Sequence, residues 1–273
     1  TMIRSDFHMH TAFSGDCDVP ARKMVEGAME KGLKTICITD HNDRDYPEHR
    51  EMQGQKFEFD LEEYFRILTK LQKEYAGRIE IRIGIELGLQ PHLGQYYKEL
   101  VNRYPFDFVI GSVHVVNGKD PYYKEMFQDK SDEEAYAETF AATLKDLESV
   151  EDFDVLGHLD YVVRYGTHGA QEYSYRRFAS YIDDILRKII DMGKGIEMNM
   201  AGFKYGLNFA HPHPDIIKRY KELGGEIITI GADGHCPEHI AYDFQKAGKI
   251  LKDCGFEYYT EFKERKPIFK HVP

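Results

Sequence analysis

The sequence has 273 residues, 42% of them hydrophobic and 30% charged, and this composition excludes a largely disordered chain. Its net charge of −11 excludes a general affinity for nucleic acid, because the field of an acidic protein repels long polyanions. No apolar run approaches the roughly 20 residues that span a bilayer, and the four scattered cysteines lack Cys-x-x-Cys spacing, so we expect a cytoplasmic protein with reduced thiols and no membrane partner.

Short apolar runs rich in β-branched residues alternate with longer stretches of helical periodicity, a pattern typical of βα units around a parallel sheet. Seven units are present, with strands predicted over residues 3–9, 35–39, 79–85, 106–113, 153–156, 195–198 and 226–230. Helices are predicted over residues 20–31, 60–75, 93–103, 132–150, 174–192 and 239–252, and another follows Pro214. We therefore expect an α/β protein with a parallel barrel in one domain, residues 2–273.

Three segments interrupt this alternation. Residues 42–59 form a polar excursion that we expect to act as a lid over a pocket, and residues 117–130 form a second one. The tail, residues 256–273, is expected to pack across one end of the barrel. Asp60, with Glu63 three residues later, is the predicted N-cap of the helix after the first excursion.

Side chains that bind metals follow six of the seven predicted strands. His8 and His10 end the first strand, where residues two apart share a face. The candidates are His8, His10, Asp16, His41, Glu86, His114, His158, Asp233 and His235. In a parallel barrel the C-terminal strand ends open on one face, so these residues should converge there.

Each candidate alone is typical of an ordinary surface or loop position, and the metal hypothesis depends on their recurrence at strand ends. Imidazole mixed with carboxylate suits zinc, manganese or iron, whereas calcium and magnesium sites are mostly oxygen. Nine candidates exceed the need of one ion, so we expect two or three divalent ions that share Glu86. His211 and His213 precede a helix start instead of ending a strand, and we do not expect them to bind the functional metal.

The same positions carry a family resemblance. The motifs His8-x-His10, Thr39-Asp40-His41, Gly84-Ile85-Glu86, Gly111-Ser112-Val113-His114, Gly157-His158-Leu159-Asp160 and Asp233-Gly234-His235, together with Asp16, resemble those of the PHP (polymerase and histidinol phosphatase) family. The resemblance covers nearly the whole chain, and the motifs in series are highly specific. Residues 157–164, residues 197–204 and the tail are similar to the monofunctional histidinol-phosphate phosphatases in particular.

This resemblance implies a distorted seven-stranded (β/α) barrel, in agreement with the seven units. It implies that His8, His10, Glu86 and Asp233 hold one metal, that Glu86 bridges to a second held with His114 and His158, and that Asp16, His41 and His235 hold a third. Among these ligands we assign Glu86, Asp233 and His235 to catalysis. The chain departs from the family at Met200 and Ala232, where relatives often have threonine and serine, a difference that bears on substrate preference.

Three divalent ions carry about +6 against three carboxylates, and the resulting positive pocket suits a small phosphate monoester. Our hypothesis is that a hydroxide bridging two metals attacks phosphorus in line, because coordination lowers the pKa of bound water. The resemblance implies L-histidinol phosphate as the substrate, in histidine biosynthesis. Arg164 is either a phosphate clamp or half of a surface salt bridge, Lys204 is a second candidate, and Asn199 either contacts substrate or supports its loop.

Other functions stay open at this point. An amidohydrolase also begins with His-x-His on a barrel strand, but that family usually adds a carboxylated lysine, which this chain replaces with Glu86. A PHP-family phosphoesterase of other specificity, for a nucleotide, a sugar phosphate or a phosphodiester, is the second alternative, and a nuclease would need a basic track that the sequence lacks. A metal-binding regulatory module without catalysis is the third. The oligomeric state is not predicted.

Overall fold

Seven parallel strands form the centre of the protein in the computed structural model, which describes residues 1–273. The ten strands are β1 (Ser5–Asp6), β2 (Thr35–Asn42), β3 (Glu80–Gly88), β4 (Phe108–Ser112), β5 (Val155–Leu156), β6 (Thr167–Ala170), β7 (Gly195–Asn199), β8 (Ile228–Gly231), β9 (Tyr258–Lys263) and β10 (Lys266–His271). The parallel sheet has the order β1-β2-β3-β4-β5-β7-β8. Each of the seven predicted strands is confirmed, and chain order equals spatial order, as βα units require.

Backbone hydrogen bonds between β1 and β8 bring the two edges of this sheet together. The N–H groups of Phe7, Asp233 and His10 donate to the carbonyl oxygens of Ile230, His8 and Gly234, each at 2.9 Å. The buried Asp6 carboxylate fills the remaining gap by accepting from Ala232 N–H at 3.1 Å. The sheet is therefore a nearly closed, distorted seven-stranded barrel, and the predicted fold class is confirmed.

Eight helices surround the barrel. They are α1 (Ala21–Glu30), α2 (Leu61–Glu74), α3 (Gly94–Arg103), α4 (Asp132–Ser149), α5 (Ala179–Asp191), α6 (Ala201–Lys204), α7 (Pro214–Glu222) and α8 (Phe244–Asp253). The predicted N-cap of α2 is confirmed, because Asp60 Oδ1 accepts from Glu63 N–H at 3.2 Å. Apolar faces such as Tyr64 and Leu68 pack on the sheet within a cluster of 63 buried residues, so the main core lies between helices and strands. None of the helices has both the length and the apolar character that crossing a membrane requires.

Two helix boundaries differ from the prediction, and one short helix was missed. The last helix begins at Phe244 instead of residue 239, because Asp243 has a left-handed backbone with φ of 55°, which interrupts a right-handed helix. The fifth begins at Ala179, after a 3₁₀ turn. The single turn α6, which carries Lys204, was predicted as loop because four residues are too few for a periodic apolar pattern.

The tail closes the N-terminal end of the barrel, as predicted. Strands β9 and β10 form an antiparallel hairpin whose Phe262 ring stacks on Phe108 with centroids 5.1 Å apart. Phe108 meets Phe7 edge-on at 5.5 Å, and these rings belong to a small buried cluster with Cys37, Ile110 and Val155. Arg265 Nε donates to Asp154 Oδ2 at 2.7 Å, which anchors the hairpin to β5. The hairpin does not cover the opposite, C-terminal end of the barrel, where the candidate site lies.

Candidate metal centre

The nine side chains predicted to bind metal lie together at the C-terminal end of the barrel. His41 and Glu86 lie near the C-terminal ends of β2 and β3, and Asp16 lies in the turn that follows β1. The other six follow β1, β4, β5 and β8 by two to four residues. Most are buried, while Asp16 and His235 have about a third of their side chains exposed. Ligand atoms of eight of them form three overlapping groups that share His10, His41 and Glu86, and the ninth, His158, lies beside Glu86.

The first group joins the two sides of the barrel seam. His8 Nε2 lies 3.2 Å from Glu86 Oε1 and 3.3 Å from Asp233 Oδ1. His10 Nε2 lies 3.0 Å from the same Asp233 oxygen. The four ligand atoms of His8, His10, Glu86 and Asp233 fall within 4.8 Å of one another, which is compact enough for one ion.

The second group surrounds the other oxygen of Glu86. His114 Nε2 and His158 Nε2 lie 3.3 and 3.2 Å from Glu86 Oε2, and the two nitrogens are 3.4 Å apart. His41 Nδ1 approaches Glu86 Oε1 at 3.3 Å. Each carboxylate oxygen of Glu86 thus faces a different set of imidazoles, the arrangement that a bridging carboxylate requires.

The third group lies nearest to solvent. Asp16 Oδ2 is 3.2 Å from His235 Nε2 and 3.4 Å from His41 Nε2. The ring of His10 stacks between those of His41 and His235, with centroid distances of 4.3 and 4.2 Å. His41 therefore presents one ring nitrogen to this group and the other to Glu86.

The electrostatics of this end favour positive charge. Burial alone would raise the pKa of the Glu86 carboxyl, but the imidazoles of His8, His114 and His41 hold it well below its usual range. Burial would lower the pKa of His114, yet Asp43 and Glu86 raise it to about 10. The buried carboxylates are thus stabilised by cationic neighbours, whether these are imidazolium groups or bound metal ions.

Unpaired atoms test whether the site fits a metal. His8 Nε2, His41 Nδ1, Glu86 Oε1 and Asp43 Oδ1 are buried without a hydrogen-bond partner. Leaving such atoms unpaired costs about 1–3 kcal/mol each, and their convergence on a common space indicates that a ligand satisfies them. Imidazole nitrogens mixed with carboxylate oxygens are the donors that divalent transition metals and zinc prefer. The residues present therefore fit divalent cations.

Three supporting residues orient the histidine rings, and the sequence prediction missed them. Glu197 Oε2 accepts from His8 Nδ1 at 2.5 Å and Asp43 Oδ2 accepts from His114 Nδ1 at 2.6 Å. Ser14 does the same for His10 at 2.9 Å while donating to Asp40. With Nδ1 protonated, each ring directs the lone pair of Nε2 towards the metal groups.

Their sequence signals were available but weak. Asp43 stands two residues after His41 and so shares its face, the same rule that paired His8 with His10. Glu197 is an acidic residue between the apolar neighbours Ile196 and Met198 of a buried strand, a position where a charge needs a specific partner. Ser14 has no comparable signal, because serine is common in turns.

A cavity of about 630 Å³ opens above the metal groups. The predicted lid contributes Tyr46 and Phe57 to its wall, and the second excursion contributes Asp120, Tyr122 and Tyr123. The two excursions are joined by a hydrogen bond from the Tyr46 hydroxyl to Asp120, and by the ring of His49, which stacks on Tyr123 at 3.6 Å. The segment predicted as a lid thus covers part of the site.

Arg164 and Lys204 also line this cavity. Arg164 Nε donates to His211 Nε2 at 3.4 Å, and His211 Nδ1 in turn donates to Asp160 at 2.7 Å. The guanidinium lies over the Tyr205 ring at 4.0 Å, and its Nη2 is buried without a partner. No acidic residue pairs with Arg164, so the salt-bridge alternative is not what the structure contains. His211 supports Arg164 and lies outside the three ligand groups.

Asn199 is buried outside the cavity lining and contacts Asp233, one of the candidate ligands. Its amide nitrogen donates to Glu197 Oε1 at 3.0 Å and to Asp233 Oδ2 at 3.1 Å, while its oxygen accepts from Ala201 N–H at 3.0 Å. Both N–H groups of the amide are therefore used within the protein, and its oxygen accepts one hydrogen bond. Of the two alternatives for Asn199, the geometry favours a supporting role.

Comparison with known proteins agrees with this arrangement. The family model described as "PHP domain" matches residues 6–201, which is more than half of the chain. The chain belongs to the PHP family. The resemblance predicted from the sequence motifs is thereby confirmed, and the PHP match includes the ends of every barrel strand except β8.

Relatives extend the likeness beyond the PHP match. The histidinol-phosphatase of Lactococcus lactis is 32% identical over 262 residues, which cover 96% of this chain and 95% of that protein. The crystal structure of histidinol phosphate phosphatase from Lactococcus lactis, a complex with zinc, L-histidinol and phosphate, aligns with a TM-score of 0.88 and covers 98% of this chain and 100% of that one. A chain from Listeria monocytogenes, 18% identical, shares the fold with a TM-score of 0.75 over 89% of this chain and 99% of its own.

Proposed function

We propose that this PHP-family protein hydrolyses L-histidinol phosphate to L-histidinol and inorganic phosphate, as a metal-dependent phosphoric monoester hydrolase. The observation that carries the proposal is the convergence of nine side chains of metal-ligand type beneath a cavity whose wall includes Arg164, whose Nη2 has no hydrogen-bond partner. Relatives of nearly the same length act on or bind this substrate or its products. The positive charge of such a centre suits a phosphate dianion.

Two or three divalent ions, zinc, manganese or iron, are the proposed cofactors. The proposed ligands are His8, His10, Glu86 and Asp233 for one ion, Glu86, His114 and His158 for a second, and Asp16, His41 and His235 for a third. When bound, such ions lower the pKa of coordinated water and stabilise charge on phosphoryl oxygens. Glu86 would face two of these ions, one with each carboxylate oxygen, while Asp233 would help to hold the first ion and His235 the third.

Residues of the chain itself would then place the substrate. Arg164 is the proposed phosphate clamp, because the chain Asp160–His211–Arg164 holds its guanidinium in the cavity wall and leaves Nη2 without a hydrogen-bond partner. Lys204 adds a second positive charge on the same wall. Asn199 keeps Asp233 aimed at the ligand group. The lid limits access of bulk water to the reacting phosphate.

The direct test is phosphate release from L-histidinol phosphate beside other phosphate monoesters and a phosphodiester, after reconstitution with zinc, manganese or iron. We expect kcat/KM for L-histidinol phosphate to exceed that of every other ester. Weak and uniform turnover across the panel would keep the metal-dependent phosphoesterase and remove the assigned substrate. Preferential cleavage of the diester would favour the phosphodiesterase alternative.

The role of Arg164 is tested by Arg164→Ala. We expect kcat/KM to fall by about 10- to 100-fold, because a charge-assisted contact with the phosphate is lost. Arg78→Ala is the matched control, since Arg78 also lies over a tyrosine ring, at 4.6 Å from Tyr75, but does not line the cavity. Unchanged KM and kcat in Arg164→Ala would end the clamp hypothesis.

A further inference from the structure

The charges around the cavity are divided between two halves of the barrel rim. Arg164 and Lys204 belong to the segments after β5 and β7, while Asp120 and Glu51 belong to the segments after β4 and β2. In the sheet order, β2 and β4 flank β3, and β5 and β7 are neighbours on the other side of β4. The rim thus presents cations from one arc and carboxylates from the next.

Asp120 is the acidic group that is fixed in this wall. Its Oδ1 accepts from Tyr122 N–H at 2.8 Å and its Oδ2 accepts from the Tyr46 hydroxyl. Both donors are neutral, and no cationic side chain forms a salt bridge with the carboxylate. Burial raises the pKa of the Asp120 carboxyl, although its two hydrogen bonds and the nearby His114 lower it in part. A cationic ligand in contact with Asp120 would supply the ion pair that the protein itself does not form.

We infer that Asp120 is a specificity-determining residue that binds the ammonium group of the substrate and selects amine-bearing phosphate monoesters. The inference rests on the proposed function, because L-histidinol phosphate carries an ammonium group next to its phosphorylated carbon chain. At neutral pH an aliphatic amine is mostly protonated, whereas an imidazole with a pKa near 6.5 is mostly neutral. The carboxylate therefore pairs with the ammonium, and the imidazole is left to the tyrosine side chains of the same wall.

Substitution of Asp120 by asparagine removes the negative charge and keeps the hydrogen bonds that hold the side chain in place. The amide oxygen can still accept from Tyr122 N–H, and the amide nitrogen can donate to the Tyr46 hydroxyl, which accepts as well as donates. The junction between lid and second excursion is therefore kept. Glu51→Gln is the matched control, because it removes the same charge from an exposed position on the cavity rim.

The experiment compares L-histidinol phosphate with 3-(imidazol-4-yl)propyl phosphate, which lacks the amine, in the metal-loaded enzyme. In Asp120→Asn we expect kcat/KM for L-histidinol phosphate to fall by about 10- to 100-fold, mainly through KM, which is the range for losing a charged hydrogen-bond partner. Turnover of the deaminated ester should change by less than about two-fold, as should both activities of Glu51→Gln, since an exposed charge contributes little.

Product inhibition gives a second measurement. The inhibition constant of L-histidinol should rise in Asp120→Asn, while that of inorganic phosphate should stay the same, because phosphate contacts the metal side of the cavity. An equal loss with both esters, or weaker inhibition by both products, would indicate a structural role and overturn the inference. A wild-type enzyme that prefers L-histidinol phosphate, and whose preference survives in Asp120→Asn, would overturn the inference alone. A wild-type enzyme without that preference would overturn the proposed function as well.

Discussion

The two ends of the barrel interior are built from the same strands but from different side chains. Alternate residues of a strand share a face, so the side chains of β4 and of the two residues beyond it that face the barrel interior are Phe108, Ile110, Ser112 and His114. Phe108 and Ile110 belong to the apolar cluster around Phe262. Ser112 donates to Glu86 Oε2 at 2.8 Å, and His114 lies beside the same oxygen. One strand therefore passes from hydrocarbon to ionisable groups within seven residues.

This contrast separates stability from chemistry. Burial of apolar surface stabilises the N-terminal end by roughly 25 cal/mol per Å². Burial of carboxylates and imidazoles at the C-terminal end costs free energy unless charges are matched. Changes at the N-terminal end should therefore alter unfolding without altering catalysis, and changes at the C-terminal end should alter metal binding and turnover first.

The largest effect is expected at the centre of the ionisable end. In Glu86→Gln one of the two oxygens proposed to hold metal becomes an amide nitrogen, and we expect kcat to fall by on the order of 10³, because the lost stabilisation of charge amounts to several kcal/mol. Zinc content per chain, measured by elemental analysis, should fall at the same time. Glu80→Gln, at the exposed opposite end of β3, is the control and should keep both metal and activity. Full zinc content in Glu86→Gln would contradict the bridging role.

At the apolar end we expect a loss of stability alone. Phe262→Ala should lower the free energy of unfolding by about 3 kcal/mol, the lower range for removing a buried phenylalanine. Turnover of the folded enzyme should stay within about two-fold, because surface and core changes far from the site act through stability. Denaturant unfolding and kcat, measured on the same preparation, make the comparison. Phe269→Ala, on the exposed strand β10, is the control and should change neither the free energy of unfolding nor kcat. A large fall of kcat in Phe262→Ala would show that the two ends of the barrel are coupled.

A smaller effect is expected from the carboxylate behind His8. In Glu197→Gln the amide oxygen can still accept from His158 N–H, but the amide nitrogen faces His8 Nδ1 and favours the tautomer with a proton on Nε2. Zinc affinity, measured by competition with a chelator, should fall about 10- to 100-fold, as for other residues that orient a ligand. Glu226→Gln, exposed before β8, is the control. Unaltered affinity would mean that the His8 ring is oriented without Glu197.

The smallest effect on metal binding and turnover is expected at a buried carboxylate that belongs to neither end. Burial raises the pKa of Asp146 in α4 from 3.8 to about 8, and no imidazole compensates it as at Glu86. The folded protein binds this proton more tightly, so the contribution to stability is full below about pH 4 and is lost as pH rises towards 8. Asp146→Asn should therefore gain stability relative to wild type as pH rises from 5 to 8, by at most about 1.4 kcal/mol per pH unit, measured by urea unfolding. If the stability difference between Asp146→Asn and wild type were the same at pH 5 and pH 8, the raised pKa of Asp146 would not be its cause.

Strand ends were predictable because periodicity and chemistry coincide there. His41, Glu86 and His114 each follow an apolar run, and parallel topology alone brings the ends of such runs together. The single turn of α6 and the delayed start of α8 were not predictable, because a left-handed residue such as Asp243 has no pattern in its neighbours. The local sequence determines which residues have side chains able to bind a metal, and tertiary packing determines how their imidazole rings are oriented.

The contacts between the two polar excursions, residues 42–59 and 117–130, were the least predictable feature of the site. Tyr46 and Asp120 are 74 positions apart and meet only because the segments after β2 and β4 fold over the same cavity. Neither belongs to a strand or helix, so neither periodicity nor spacing relates them. The role inferred for Asp120 therefore depends on the structure, whereas the ligand role proposed for His8 or Glu86 could already be predicted from the sequence.

The seam between β1 and β8 constrains the order in which the protein can mature. His10 and Asp233 are 223 positions apart, and they face each other only when the first strand pairs with the last. During synthesis one edge of the N-terminal strand stays unpaired until nearly the whole chain has left the ribosome. Such distant pairing is slow and exposes an unpaired edge to other chains. We expect an emerging chain to acquire its metal-binding capacity late and in one step, so that a fragment ending before β8 would keep His8 and His10 but lack the partner that completes their site.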